Sequence, residues 1–200
     1  MPTTLIFATN NAHKVEEIQA VIGDAIEVIS LSAVGIDIDI PEPHATLEEN
    51  AREKSQTIYR LTGLPCFSED TGLEVDALNG EPGVKSARYA GEHRDFSANI
   101  EKVLAGLEGK ENRGARFRTV ISIIWDGIEH QFEGICEGEI LRERRGEKGF
   151  GYDPIFMADG ETRSFAEMTT QEKTAISHRT KAASELVKFL KNNTNNGIHA

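Results

Sequence analysis

Two hundred residues suit one domain with enough chain to bury a substantial core. With 38% hydrophobic and 28% charged residues the composition is that of an ordinary globular protein, and no apolar run approaches the ~20 residues of a membrane span. Net charge is −11, from 22 basic and 33 acidic side chains, which argues against a grip on polymeric nucleic acid but not against a small anion held by a local cation cluster.

The opening MPTTLIFATNN has neither a basic start nor a cleavage site, so no secretory leader is expected and the cytoplasm is the expected compartment. Thr3–Ala8 predicts a buried strand, TNNAHK a turn, and VEEIQAVI a helix with Val15, Ile18 and Ile22 on one face. Ala25–Leu31 predicts a second strand, and Gly35–Thr46 is extended and punctuated by Pro41 and Pro43. Thr46 and Glu49 have capping-box spacing and open a helix carrying Leu47, Ala51, Ile58 and Leu61 that stops at Gly63. Leu64–Asp70 predicts the third strand and Ala98–Leu107 an amphipathic helix. Arg116–Trp125 and Ile128–Gly138 read as a hairpin turned at Asp126-Gly127, a favoured type I′ pair. A last helix from near Ser177 would bury Ala183, Leu186, Val187 and Leu190, before a polar tail over 191–200 that reads as frayed. Cys66 and Cys136 lie in apolar strand-like runs and read as buried reduced thiols. Helices and strands alternate before a hairpin intervenes, so one α/β domain over 1–200 with a mixed sheet is expected.

Five stretches carry chemistry, each beside a plainer reading. In SEDTG, Glu69 and Asp70 end an apolar run, where burial costs several kcal/mol unless each charge is paired or bound to a cation; the segment is a metal-bearing edge or a solvated Asp-Thr-Gly turn. In FATNNAHK, a strand feeds a turn and a helix whose N-terminus and Lys14 converge on an anion site, unless Asn10 or Asn11 merely caps the helix. Glu42, fixed between two prolines, suits a metal ligand or an exposed acidic loop. In GFGYDPIF, glycines flank Phe150 and suit a stacking platform for a base or a turn with a core Phe. Lys173, His178, Arg179 and Lys181 gather around one helix start, as a ligand site or as surface charge.

FATNNAHK, the EENA-type helix, SEDTGLEVDAL, PGVKSARYAG, GFGYDPIF and EKTAISHR occur in an order that resembles the inosine triphosphate pyrophosphatase family, also called XTP/dITP diphosphatases, over roughly residues 5 to 190. The resemblance implies an elongated mixed β-sheet flanked by helices, with two lobes around a central nucleotide-binding cleft, and a homodimer. It implies Mg²⁺-dependent hydrolysis of deaminated purine nucleoside triphosphates (ITP, dITP, XTP) to the monophosphate and pyrophosphate. On that likeness Thr9, Asn10, Asn11, Ala12, His13 and Lys14 hold the triphosphate, while Glu42 and Asp70 hold the metal. Asp70 is also the proton acceptor and Thr71 touches substrate. Phe150, Gly151, Tyr152, Asp153, Lys173, His178 and Arg179 surround the nucleotide. The chain departs from the family pattern at Glu69, where an aspartate is common, at Pro41-Glu42, where Glu-Glu is common, and at Asn10-Asn11, where Gly-Asn is common. A pyrophosphatase for modified pyrimidine triphosphates and a non-catalytic nucleotide sensor are the alternatives.

Overall fold

The computed structural model describes residues 3–24 and 26–194, so Ala25 of the expected second strand and residues 195–200 of the tail lie outside the described residues. Seven strands and five helices follow one another as β1 (Thr3–Phe7), α1 (Ala12–Ile22), β2 (Ile26–Ile29), α2 (Leu47–Thr62), β3 (Cys66–Val75), β4 (Pro82–Gly83), α3 (Phe96–Gly106), β5 (Gly114–Trp125), β6 (Ile128–Ile140), β7 (Phe156–Ala158), α4 (Thr170–Ile176) and α5 (His178–Thr194) among the described residues. The sheet order is β2-β1-β3-β5-β6-β7, with β4 paired to β3. β1 runs parallel to both β2 and β3, whereas β3–β4 and β6–β7 are antiparallel, so the sheet is mixed and the fold is α/β.

The chain forms two compact units. Unit 1 holds residues 1–70, 119–134 and 179–200; unit 2 holds 71–118 and 135–178. In unit 1, Leu5, Ile6 and Phe7 are all buried, as a parallel strand covered on both faces requires. Leu5, Phe7 and Phe67 pack with Ile18 of α1 and with Ala182, Ala183, Leu186 and Leu190 of α5, while Ile6, Cys66 and Ile124 pack with Ile58 of α2. In unit 2, Leu73, Val75, Ile100, Val103, Phe117, Phe156 and Phe165 build a separate core.

Local chemistry accounts for the element ends. Asn11 Oδ1 accepts from the Lys14 N–H to cap α1. Thr46 does the same for α2 through Glu49, and α2 stops at Gly63 with φ +65°. The buried face of α2 is Leu47, Asn50, Ala51, Lys54, Ser55 and Ile58; Leu61 is instead 61% exposed in the last turn. Asp126 and Gly127 have φ +50° and +78°, the pair of positive values that a type I′ hairpin needs. Asp95 caps α3 by accepting from Ala98, which starts that helix at Phe96 rather than at Ala98. Cys66 and Cys136 are buried thiols outside any disulfide.

The end of β3 and the stretch before α5 differ in part from expectation. Asp70-Thr71-Gly72 is not a turn: β3 runs straight through it to Val75. Gly72 is needed for close approach, since a Cβ there would meet the Gly83 carbonyl oxygen of β4 at 2.7 Å. The last helix starts at His178, beside Ser177 as expected, but a separate short helix, α4, precedes it, and the extended Ser177 (ψ 153°) divides the two.

Candidate active site

The period of two along β3 separates the acidic pair. Cys66, Ser68 and Asp70 face α2: the Cys66 thiol donates to the Ser55 carbonyl, Ser68 Oγ donates to the Ala51 carbonyl, and Lys54 Nζ donates to Asp70 Oδ1 at 2.8 Å. Glu69 points to the opposite face with Phe67 and meets α1 and α5. A solvated turn would have left both carboxylates in water; they are 2% and 7% exposed.

On the α2 side, Lys54 Nζ also donates to Glu42 Oε1 at 2.7 Å, so two carboxylates from distant parts of the chain share one buried ammonium. The loop bearing Glu42 is held in turn by Asn50, whose side-chain amide accepts from the His44 N–H at 3.0 Å and donates to the His44 carbonyl at 3.3 Å. Burial pushes the Asp70 carboxyl up; Lys54 opposes and Glu42 reinforces, and the result lies above the usual aspartate range. Burial lowers Lys54, but Asp70 and Glu42 outweigh it and hold the ammonium firmly protonated. Burial, with Glu42 adding to it, thus outweighs the lysine and keeps Asp70 raised.

The opposite face is balanced. Arg179 donates from Nε to Glu69 Oε2 at 2.9 Å and from Nη2 to Glu69 Oε1 at 2.9 Å, while Nη1 donates to Glu17; Lys14 Nζ lies 3.0 Å from Glu69 Oε1. Burial raises the Glu69 carboxyl, yet Arg179 and Lys14 overcome that and hold it well below the usual carboxylate range. Thr9 Oγ1 accepts from the Asn11 N–H at 3.1 Å and Asn10 Oδ1 accepts from the Ser32 N–H at 2.9 Å, which shape the turn ahead of α1. Ala12 and His13 are exposed in the first turn of α1. Thus Thr9, Asn10, Asn11, Lys14, Glu42, Asp70 and Arg179 are gathered in unit 1.

Thr71, Phe150, Gly151, Tyr152, Asp153, Lys173 and His178 belong to unit 2. Asp153 accepts from the Phe150 N–H at 2.9 Å and from Lys173 Nζ at 2.8 Å, and Lys173 Nζ stands 4.9 Å from the half-exposed Phe150 ring. Gly149 (φ +75°) is required because a side chain there would collide with the Asp153 carboxylate. His178 stacks on Phe117 with centroids 4.6 Å apart. Tyr152 turns inward, donating to the Ser86 carbonyl at 2.8 Å. Thr71 is half-buried on β3. Lys54, Asn50 and Glu17 are additions to the residues expected. Lys54 has a legible signal, a cation on the stripe Leu47–Ala51–Ile58 where an apolar residue would pack; Asn50 and Glu17 have none, because their partners are remote in sequence.

The pair Glu42 and Asp70 fits Mg²⁺ in donor chemistry: both offer hard carboxylate oxygens and both reach one cation. Among the described residues no group of three or more His, Cys, Asp or Glu is placed to hold a metal. An ion here would therefore need substrate oxygens and water, the habit of Mg²⁺ in phosphate chemistry.

The fold is thus a mixed α/β sheet that carries buried carboxylates on both faces of one strand, each matched to cations. The chain belongs to the Ham1 family, whose model it matches over residues 5–189. It is 50% identical over 186 residues to the dITP/XTP pyrophosphatase of Christiangramia forsetii, covering 93% of this chain and 98% of that one. It is 47% identical over 188 residues to the dITP/XTP pyrophosphatase of Flavobacterium psychrophilum, covering 94% and 99%. The Ham1 protein of Staphylococcus aureus superposes with a TM-score of 0.88 at 40% identity, over 96% of this chain and all of that one.

Proposed function

We propose that this chain is a Mg²⁺-dependent pyrophosphatase that hydrolyses dITP, XTP and ITP to the nucleoside monophosphate and pyrophosphate. The observation that carries the reading is the meeting of Glu42 and Asp70 at one buried ammonium, in a chain of the family whose relatives are named dITP/XTP pyrophosphatases. Asp70 accepts a proton from the attacking water, whose oxygen joins a phosphorus of the α–β anhydride as the bridging P–O bond breaks and monophosphate and pyrophosphate separate. Bound Mg²⁺ supplies charge neutralisation at the phosphate oxygens. Lys14 and the α1 N-terminus attract the triphosphate. Phe150 offers a ring face to the base, with Lys173 Nζ 4.9 Å from that ring. Arg179, expected among the residues that surround the nucleotide, has Nε, Nη1 and Nη2 each on a carboxylate, so its assigned part is to hold Glu69.

Pyrophosphate release from dITP with and without Mg²⁺, beside dATP, tests the reading. Hypoxanthine and xanthine nucleotides are expected to be preferred, and a site built on a hydrogen bond to the 6-oxo group can reject adenine by roughly 10⁴-fold. Asp70→Asn is expected to lower turnover by about 10²–10⁴ with the fold retained; Glu42→Gln is expected to raise the Mg²⁺ requirement, with partial rescue at high metal. Equal kcat/KM for dITP and dATP overturns the assignment. We further infer a homodimer in the cytoplasm, which sedimentation velocity and fractionation test.

A further inference from the structure

Lys54 is in contact with both carboxylates read as metal ligands, at 2.7 Å from Glu42 and 2.8 Å from Asp70. Its ammonium is buried, with 8% of the side chain exposed, and it projects from the α2 face that otherwise packs Leu47, Ala51 and Ile58. The trio Glu42, Asp70 and Lys54 has a net charge of −1. A divalent ion that takes the two carboxylates brings the set to +1 and must either displace the ammonium or stand beside it. Repulsion between cations is weakly screened at a buried site. The oxygens of a polyphosphate restore the balance.

We propose that Lys54 is a resident counter-cation: it holds Glu42 and Asp70 together before the ion arrives and makes metal binding conditional on nucleotide. The inference rests on the metal reading above and adds an order of events, in which the ion enters with the polyphosphate and not ahead of it. Lys54 acts through Glu42 and Asp70 and is a positioning residue.

The probe is Mn²⁺ alone, titrated into nucleotide-free protein and followed by the paramagnetic signal of the free ion. Lys54→Met keeps length and removes charge, and is expected to tighten Mn²⁺ binding by about tenfold or more. An unchanged or weaker Kd in the folded variant overturns the proposal. Adding Glu42→Gln to Lys54→Met is expected to abolish that gain. If binding persists undiminished, the metal assignment falls and takes this inference with it, whereas binding that needs Glu42 but ignores Lys54 overturns the inference alone. Should Lys54→Met fail to fold by circular dichroism, the unmodified protein carries the test. Saturating Mg²⁺ with inorganic pyrophosphate is expected to shift the ¹⁵Nζ resonance of Lys54, assigned with Lys54→Arg, while the same Mg²⁺ alone leaves it in place; an equal shift with Mg²⁺ alone, or none with both, overturns the proposal.

Discussion

At the scale of single residues, the arrangement turns on the pleat of β3. Adjacent carboxylates Glu69 and Asp70 are sent to opposite faces, where each finds different cations. Glu69 is fully buried with Arg179, itself 2% exposed, so removing either partner strands a charge away from water. Arg179→Met is expected to cost about 3–5 kcal/mol, the usual penalty for breaking a buried pair. Lys14 and Glu17 remain beside the wound, so the double variant Arg179→Met/Glu69→Met is expected to lose less than the sum of the two single changes. Urea denaturation of the three proteins checks both statements, and additive losses would mean that the two side chains do not act as a pair.

At the scale of elements, the short helix α4 depends on its cap. Thr169 Oγ1 accepts from the Glu172 N–H at 3.2 Å and Glu172 Oε2 accepts from the Thr169 N–H at 2.8 Å, with Arg163 donating to Glu172 Oε1 at 2.9 Å. Chiefly through Arg163, then through Thr169, the Glu172 carboxyl is held down to about 2. Its folded value lies below the roughly 4.3 of an unfolded glutamate. The stabilisation is therefore fully present above that unfolded value and is lost as pH falls through about 2. A ¹³C titration of the carboxyl is expected to show a midpoint near 2 at low salt, rising toward the ordinary value in ~1 M salt because the group is solvent-exposed. A midpoint near 4.3 at low salt contradicts the cap as drawn. Elements governed by local chemistry are legible in the sequence: the box at Thr46 and Glu49, the Asp126-Gly127 turn, the apolar face of α1. β3 was legible only to Asp70, because Asp-Thr-Gly has turn chemistry and what overrides it, the pairing of Leu73 with Gly83, lies along a different strand. Of the candidate site, Lys14, Glu42, Glu69, Asp70 and Arg179 stood out by type, whereas Lys54 and Glu17 did not. Their pairing did not, since Lys54 with Glu42 and Arg179 with Glu69 and Glu17 depend on which strand faces which helix.

At the scale of the whole molecule, the chain crosses between the two units at 70/71, 118/119, 134/135 and 178/179. Three of those crossings fall inside strands: β3 gives Cys66–Asp70 to unit 1 and 71–75 to unit 2, and β5 and β6 are divided in the same way. Phe117 belongs to the core of unit 2, and Ile121, four residues along the same strand, to a core of unit 1. Neither unit is a continuous piece of sequence, and losing one core frees half of each shared strand in the other. Unfolding is therefore expected to be a single cooperative step in spite of two cores. Trp125, the only tryptophan, reports on unit 1, while Tyr89 and Tyr152 sit in unit 2. Fluorescence of Trp125 and far-UV circular dichroism are expected to give one midpoint, with the calorimetric enthalpy equal to the van't Hoff value. Ile121→Ala and Phe117→Ala, each costing about 2–5 kcal/mol, are expected to move that common midpoint down together. A Phe117→Ala variant that melts in two stages, with the Trp125 signal unmoved, would show two independent folding units instead.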